Sequence, residues 1–358
     1  MIRAVKKILF GTGALLFLAS GCGTSPESLP EEDIETQPAQ AEETFPESAP
    51  GDSIPGWPSG VERVAILSSY DSTMQPALFK APPSGRDPSP LLVALHTWSG
   101  DYLQKNSLPY LELAEKRGWV FVHPDFRGPN NNPQATGSLA ATADILDAVA
   151  YAGAHAEVDA SRIYLVGASG GGHMALLTAA RHPELWAAVS AWVPITHLAL
   201  WYGECYERGD MKYVNDLEAS CGGPPVDGGP EVDARYALRS PLSILARAAG
   251  LPVEISAGIR DGHDGSVPVS HSLLAFNMLA EANGMPEKTL TPDEIHYFVS
   301  RAAIPTRLSG EAEDDPYYKA KKVLFRRRAG PVRVTIFDGA HEVIPAAAIG
   351  WLEAHRKK

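Results

Sequence analysis

A serine surrounded by glycines lies in residues 167–174, which read GASGGGHM. The pattern Gly167-x-Ser169-x-Gly171 follows the apolar run RIYLV and precedes MALLTAARH, a segment of helical composition. A sharp strand-to-helix turn brings two backbones close together, so side chains at positions 167 and 171 would clash there. A helix that begins at this turn directs its unpaired N–H groups toward the serine. The pattern predicts that Ser169 is a nucleophile rather than part of a glycine-rich packing turn.

A serine hydroxyl is a poor nucleophile at neutral pH and needs a base within hydrogen-bond reach. The sequence contains eleven histidines. His341 follows VRVTIFDGA and precedes the last helical segment, which is where a base that comes after the acid in the chain is expected. His96 and His173 precede the strand that should carry the acid. We therefore predict His341 as the base, and expect His96 to shape a nearby loop and His173 to pack in the first helical turn.

Two aspartates compete for the role of the acid that orients the base, within GIRDGHDGSVP at residues 258–268. Asp261 comes directly after the strand candidate PVEISAG, whereas Asp264 lies farther along the loop. A rigid strand end constrains geometry more than a loop does, which favours Asp261 and leaves Asp264 as the alternative. His263 lies between them, but three residues on one loop are too few for a closed metal shell, so no metal site is predicted.

Acyl transfer also requires two backbone N–H groups directed at the negative charge that develops on the carbonyl oxygen. One should come from Gly170, the residue after the nucleophile. The other should come from the loop TWSGD at residues 97–101, where we predict the N–H of Trp98. The Trp98 indole is also a candidate wall of the leaving-group pocket, with a purely packing role as the alternative.

Strand-like and helix-like segments alternate from about Val61 onward, which predicts an α/β fold with a mainly parallel sheet and helices on both faces. The strand candidates are RVAIL, MQPALFKA, LLVALH, WVFVHPDF, RIYLVGA, WAAVSAWV, PVEISAG and VRVTIFDG. The helix candidates are LPYLELAEKRG, SLAATADILDAVAYAGAHA, GGHMALLTAARH, PVSHSLLAFNMLAEANG and IPAAAIGWLEAHRK. Residues 196–250 break this alternation and predict an insertion over the active site; residues 286–330 form a second irregular stretch.

The segments LLVALHTWSG, GASGGGHMAL, SVPVSHSLLAF and IFDGAHE, in this order, resemble α/β-hydrolases. The resemblance is strongest to prolyl-oligopeptidase-like catalytic domains and related carbohydrate esterases, and it covers about residues 61–355. It implies Ser169 as nucleophile, His341 as base and an aspartate on the 261–264 loop, with no cofactor. The sequence departs from the family at Thr97, where many members have glycine, and in its longer aspartate loop.

The first 22 residues have the pattern of a signal peptide. MIRAVKK is positively charged, ILFGTGALLFLA is apolar but too short to span a membrane comfortably, and SGC follows. LASGC resembles the lipobox of bacterial lipoproteins, although Leu18 lies one place earlier than the usual leucine. The resemblance implies cleavage before Cys22, a lipid on that cysteine, and an exported protein attached to a bacterial membrane by this lipid alone.

Residues 23–57 are rich in Pro, Glu, Ser and Thr, which predicts a disordered tether before a hydrolase domain at 58–358. Residues 25–52 hold nine acidic residues and no Lys or Arg, so most of the formal charge of −12 belongs to the tether. The remaining part is close to neutral and lacks the basic surface that nucleic-acid binding requires. Cys205 and Cys221 remain after Cys22, and in an exported protein such a pair predicts a disulfide, here one that staples the insertion, with two free buried thiols as the alternative.

These observations favour a serine esterase that acts on exported or environmental esters, with acyl groups on polysaccharides as one substrate class. The first alternative is a peptidase of the oligopeptidase type. Those enzymes usually carry a large β-propeller before the catalytic domain, and fewer than 40 residues separate Cys22 from the first strand candidate here. The second alternative, a surface binding protein on an inactive hydrolase scaffold, is disfavoured by the complete set of Ser, Asp and His.

Overall fold

The computed structural model describes residues 54–85 and 87–357. The predictions for residues 1–22, including the lipid on Cys22, and almost all of the predicted 23–57 tether lie outside the described residues. Within the described ranges, no helix has both the length and the apolar character needed to cross a membrane.

One sheet of nine strands organises the described part of the chain. The strands are β1 (Glu62–Leu67), β2 (Met74–Lys80), β3 (Ser89–Leu95), β4 (Val120–Pro124), β5 (Val158–Ala168), β6 (Ala188–Trp192), β7 (Val253–Gly258), β8 (Val323–Ala329) and β9 (Val332–Phe337). Their order across the sheet is β1-β2-β4-β3-β5-β6-β7-β9-β8. The six strands from β4 to β9 in this order are parallel, while β1, β2 and β8 pair antiparallel at the two margins.

Nine α-helices accompany this sheet within residues 54–85 and 87–357. They are α1 (Leu108–Glu115), α2 (Leu139–His155), α3 (Gly170–Arg181), α4 (Leu198–Arg208), α5 (Met211–Cys221), α6 (Pro230–Leu238), α7 (Ser270–Ala282), α8 (Pro292–Arg301) and α9 (Pro345–Glu353). Ser138 caps α2, because its hydroxyl accepts the N–H of Ala141.

The predicted fold class is confirmed, because the parallel strands are covered on both faces. The run from Leu91 to Leu95 in β3 is buried throughout, as a strand between two layers requires. A βαβ connection is normally right-handed, so the direction of the step from one strand to the next decides which face its helix covers. The connection from β3 to β4 steps toward β1, which places α1 on one face. The later connections step toward β8, which places α2, α3 and α7 on the other face. Helix α9 packs beside α1.

The predicted insertion at 196–250 is more regular than its sequence indicates. It contains α4, α5 and α6, whose buried faces form a second hydrophobic cluster, which we call the insertion core. Its buried members are Trp98, Ile195, Leu198, Trp201, Cys205, Val214, Leu217, Cys221, Val232, Tyr236 and Val267. The buried faces of these short helices mix Leu and Val with Trp, Tyr and Cys, and many polar residues lie between them, which obscures the helical period in the sequence.

The predicted disulfide is wrong: Cys205 and Cys221 are two buried thiols that are not joined. Tyr202 of α4 donates to Glu218 of α5 at 2.6 Å, so these two positions are level in the antiparallel α4–α5 hairpin. Residues 209–210 connect the two helices. Cys205 lies three residues from Tyr202 on the side of this connection, whereas Cys221 lies three residues from Glu218 on the opposite side. The resulting offset is about 9 Å along the helix axes, while a disulfide needs Cα atoms within about 7 Å.

The second irregular stretch, 286–330, contains α8 and the edge strand β8. Three consecutive arginines conceal this strand in the sequence. Arg326 is buried in the structure and pairs with Glu313 at 3.3 Å and Asp315 at 2.9 Å. The arginine cluster therefore belongs to an ion-pair network that attaches the 311–315 loop to the sheet edge.

Candidate active site

Ser169 lies in a strained turn between β5 and α3. Its backbone has φ 57° and ψ −118°, a region that costs a non-glycine residue on the order of 1–3 kcal/mol. Two hydrogen bonds hold this conformation: the Ser169 N–H donates to the Trp192 carbonyl at 2.9 Å, and the Ser169 carbonyl accepts the His173 N–H at 2.8 Å. A Cβ on Gly167 would overlap the carbonyl of Gly171. The glycines of GASGGG therefore permit the close backbone approach that aims Ser169 out of the sheet.

His341 and Asp261 form a hydrogen-bonded pair. The Nδ1 of His341 lies 2.9 Å from Oδ2 and 3.0 Å from Oδ1 of Asp261. The Asp261 side chain is 1% exposed, and its Oδ1 also accepts the N–H groups of Gly262 at 3.0 Å and Val267 at 3.2 Å. An ionised carboxylate can only accept, so Nδ1 carries the ring hydrogen and Nε2 keeps a lone pair. That tautomer is the one a general base needs.

Asp264, the alternative acid, is not brought to His341. Its side chain is 62% exposed and pairs with Arg260 at 3.1 Å, and Arg260 also pairs with Asp338 at 2.7 Å. The neighbouring His263 donates from Nε2 to the Val299 carbonyl at 2.6 Å. In the described ranges, no group of His, Cys, Asp and Glu is arranged to hold a metal ion.

The sheet topology brings the three loops of the site to one edge. Strands β5, β7 and β9 are parallel, so the loops that carry Ser169, Asp261 and His341 all leave from their carboxyl ends. Only β6 separates β5 from β7, and β9 is adjacent to β7. The carboxyl edge of a parallel sheet is the usual place for an active site.

Glycines at two further positions make room for the Asp261–His341 pair. A Cβ on Gly258, at the end of β7, would overlap the backbone of Ala340, which precedes the histidine. A Cβ on Gly265 would lie 2.5 Å from the Cβ of His341 and would overlap Oδ1 of Asp261. Gly265 was not predicted as a site residue, although its place directly after Asp264 in the sequence was a usable signal.

The predicted oxyanion residues lie side by side. A Cβ built on Gly170 would lie 2.5 Å from the backbone nitrogen of Trp98, so the two residues approach backbone to backbone. The Thr97 N–H is already engaged, because it donates to Oε1 of Gln104 at 2.8 Å. The N–H groups of Trp98 and Gly170 have no acceptor in residues 54–85 and 87–357. Two unpaired donors next to Ser169 are what an oxyanion hole requires.

The Trp98 indole does not form the wall of an open pocket, contrary to the prediction. It is 2% exposed, donates from Nε1 to Oδ2 of Asp216 at 3.0 Å, and packs edge-to-face on Trp201 with a centroid distance of 4.7 Å. The indole belongs to the insertion core, because α4 and α5 fold over the loop that carries it.

His96 and His173 are buried and engaged with backbone carbonyls. His96 donates from Nε2 to the Asp125 carbonyl at 2.6 Å and stacks on Phe126 at 3.8 Å, which anchors the loop that carries Trp98. His173 donates from Nε2 to the Arg239 carbonyl at 2.7 Å. Burial lowers the pKa of His173 to about 4. A fully buried imidazole held in this way fixes packing and is not placed to accept a proton from substrate.

Two sequence comparisons match part of this chain to known proteins. Residues 108–222 match the Peptidase_S9 prolyl oligopeptidase family. Over 117 residues the chain is 32% identical to feruloyl esterase B of Neurospora crassa, a match that covers 30% of this chain and 39% of the esterase.

Solved structures show the same fold at low sequence identity. A puromycin-hydrolysing peptidase of Mycobacterium tuberculosis matches with a TM-score of 0.54 and 16% identity, over 82% of this chain and 39% of the peptidase. Oligopeptidase B of Leishmania major matches with a TM-score of 0.51 and 14% identity, over 82% of this chain and 35% of its own. The fold is thus that of the α/β-hydrolases. The chain covers well under half the length of each of these relatives.

Proposed function

We propose that this chain, a serine hydrolase with the α/β-hydrolase fold, cleaves carboxylic esters through Ser169, His341 and Asp261. One observation carries the proposal: a strained serine turn and the hydrogen-bonded pair of His341 with the buried Asp261 lie on loops that leave the same edge of the sheet. Strain of this kind at a serine is expected where backbone conformation serves reactivity.

The first half of the reaction forms an acyl-enzyme. Nε2 of His341 takes the Ser169 proton as Oγ attacks the ester carbonyl carbon, and Asp261 stabilises the imidazolium that results. The N–H groups of Trp98 and Gly170 stabilise the oxyanion of the tetrahedral intermediate. His341 then gives its proton to the departing alcohol, and the acyl group stays on Ser169.

The second half regenerates the enzyme. His341 removes a proton from a water molecule, which attacks the acyl carbon through the same oxyanion site. The carbon–oxygen bond to Ser169 breaks, the carboxylic acid leaves, and the proton returns to the serine.

An ester is the favoured substrate because a feruloyl esterase is 32% identical to this chain over 117 residues. We extend the proposal to acyl groups on carbohydrates. Tyr206 of the insertion is 51% exposed and lies nearly parallel to Tyr202, with ring centroids 6.4 Å apart. Exposed aromatic faces of this kind suit stacking on sugar rings.

Peptide hydrolysis is the second candidate, and the match to the prolyl oligopeptidase family favours it. The same nucleophile, base and oxyanion donors serve both reactions, so the leaving group is the only difference. A substrate comparison therefore separates the two.

The test is a panel of an aryl acetate, a feruloyl ester, acetylated sugars and proline peptides, with Ser169→Ala as the blank. We expect the full chain to hydrolyse one or more of the esters at least a hundredfold faster than the peptides. Faster peptide cleavage would replace the ester proposal by the peptidase. Ester turnover retained by Ser169→Ala would refute the nucleophile itself.

We also propose that the protein is exported and anchored by a lipid on Cys22, as the pattern LASGC indicates. Metabolic labelling with an alkynyl fatty acid should mark the wild type and not Cys22→Ser. Equal labelling of both, or of neither, would contradict the anchor.

A further inference from the structure

Helix α4 of the insertion reaches the loop of the predicted acid. The carbonyl oxygen of Ser266 accepts the Trp201 indole N–H at 2.8 Å and Nη2 of Arg208 at 2.7 Å. The N–H of this same peptide unit belongs to Val267, and it donates to Oδ1 of Asp261 at 3.2 Å. A single peptide unit thus joins two side chains of α4 to the carboxylate.

We propose that Trp201 and Arg208 are positioning residues for Asp261, acting through the peptide unit between Ser266 and Val267. This inference rests on the proposed role of Asp261. Donors on a peptide carbonyl fix the plane of that peptide, and therefore the direction of its N–H. They also polarise the unit, so that its N–H becomes a stronger donor to the carboxylate. The bond from the Arg208 guanidinium is charge-assisted, which adds to this effect.

The surroundings of this peptide show why it needs such support. His263 and Asp264, in the middle of the acid loop, are exposed, and Gly265 follows them. The loop regains a fixed position at Val267, which is buried in the insertion core.

Helix α4 holds the far side of this loop as well. Glu204 accepts the Nε2–H of His271 at 3.0 Å, and His271 lies at the beginning of α7, directly after the loop. Trp201 is itself fixed by its edge-to-face contact with Trp98, 4.7 Å between centroids. The Trp201 donor to Ser266 is therefore fixed by packing in the insertion core, whereas Arg208 donates from an exposed side chain at the end of the same helix.

Trp201→Phe and Arg208→Gln each remove one donor to Ser266, and Trp201→Phe keeps an aromatic ring in the insertion core. Arg208 is an exposed residue at the end of α4 that also pairs with Asp210 at 2.9 Å and contacts Sγ of Cys205 at 3.5 Å. Its substitution removes no buried side chain from the insertion core, even where the tryptophan variant loses stability. Trp186→Phe is the matched control, because the Trp186 indole is also buried but its Nε1 has no partner among the described residues. Arg208→Lys retains a donor and should restore part of any loss.

The measurement is the rate at which a fluorophosphonate labels Ser169, together with kcat and KM for an aryl acetate. We expect Trp201→Phe and Arg208→Gln each to lower the labelling rate and kcat about three- to tenfold, with KM changed less than twofold. Trp186→Phe should leave all three unchanged.

A double-mutant cycle separates positioning from a general structural effect. With Asp261→Asn already present, Trp201→Phe and Arg208→Gln should cost less than twofold, because the carboxylate they support is gone. Equal losses in both backgrounds, or no loss in the wild-type background, would overturn the proposal.

The labelling reaction does not depend on whether the natural substrate is an ester or a peptide. Labelling that persists in Ser169→Ala would refute the proposed nucleophile. Labelling that disappears in Ser169→Ala, combined with equal losses in the cycle, would refute only the roles of Trp201 and Arg208.

Discussion

Replacing each of the two loop aspartates by asparagine tests the site most directly. Asparagine keeps the size of the side chain and removes its charge, so the comparison isolates the contribution of an ionised acid. We expect Asp261→Asn to lower kcat by about 10⁴, the value known for the corresponding change in a Ser-His-Asp triad. We expect Asp264→Asn to change kcat less than twofold.

The size of the first effect follows from the bonds around Asp261. Its Oδ1 accepts the N–H groups of Gly262 and Val267, so in the variant an oxygen stays at that position. The amide nitrogen must then take the place of Oδ2, which lies 2.9 Å from Nδ1 of His341. The amide N–H and the Nδ1–H would both be donors at that contact, and only Oδ1, 3.0 Å from Nδ1, would remain as an acceptor. The tautomer with its hydrogen on Nε2, which cannot act as the base, is therefore favoured.

The small second effect follows from exposure. Asp264 is 62% exposed, and Arg260 keeps its second partner, Asp338, when Asp264 is neutralised. Exposed ion pairs of this kind contribute little to stability, and this one contacts no group of the proposed mechanism.

The assay is initial-rate hydrolysis of an aryl acetate, normalised to the fraction of serine that a fluorophosphonate titrates. Thermal unfolding of both variants confirms that the fold is intact. A loss of a hundredfold or more in Asp264→Asn, or a loss of less than tenfold in Asp261→Asn, would refute the assignment of the acid.

Three further predictions concern stability, space and thiols. Burial lowers the pKa of His173 from 6.5 to about 4, so the unfolded chain binds more protons between these values and the free energy of unfolding falls as pH decreases through them. Urea titrations of His173→Gln should show a pH slope smaller by up to about 1.4 kcal/mol per unit, and an unchanged slope would contradict this. Gly265→Ala should lower kcat at least about tenfold, because the added Cβ displaces His341. The control Gly203→Ala, whose Cβ meets nothing within 4 Å, should leave kcat unchanged. Equal rates for the two variants would argue against close packing of Gly265 on His341. Alkylation of the unfolded protein without reductant should modify both Cys205 and Cys221, whereas recovery of a linked peptide would restore the disulfide.

The elements that build the sheet could be predicted because their signals are local. The apolar run of β3 predicts a buried strand, and the glycines around Ser169 predict a tight turn. Both signals lie within one short segment and need no knowledge of the rest of the chain. The helices of the insertion were missed because their buried faces mix Leu and Val with Trp, Tyr and Cys in short segments that are otherwise rich in polar residues. Strand β8 was missed because the ion pairs that bury Arg326 come from the preceding loop at 311–315, and a residue-by-residue pattern of apolar and polar positions does not show them.

The amino-acid sequence by itself determined the fold class, the serine turn and the order in which nucleophile, acid and base occur along the chain. Tertiary structure decided which side chains meet. It placed Asp261 rather than Asp264 against His341, kept Cys205 and Cys221 apart, and buried the Trp98 indole beneath the insertion. The physical reason is that strand order and helix register set these distances, and both depend on contacts between residues far apart in the chain.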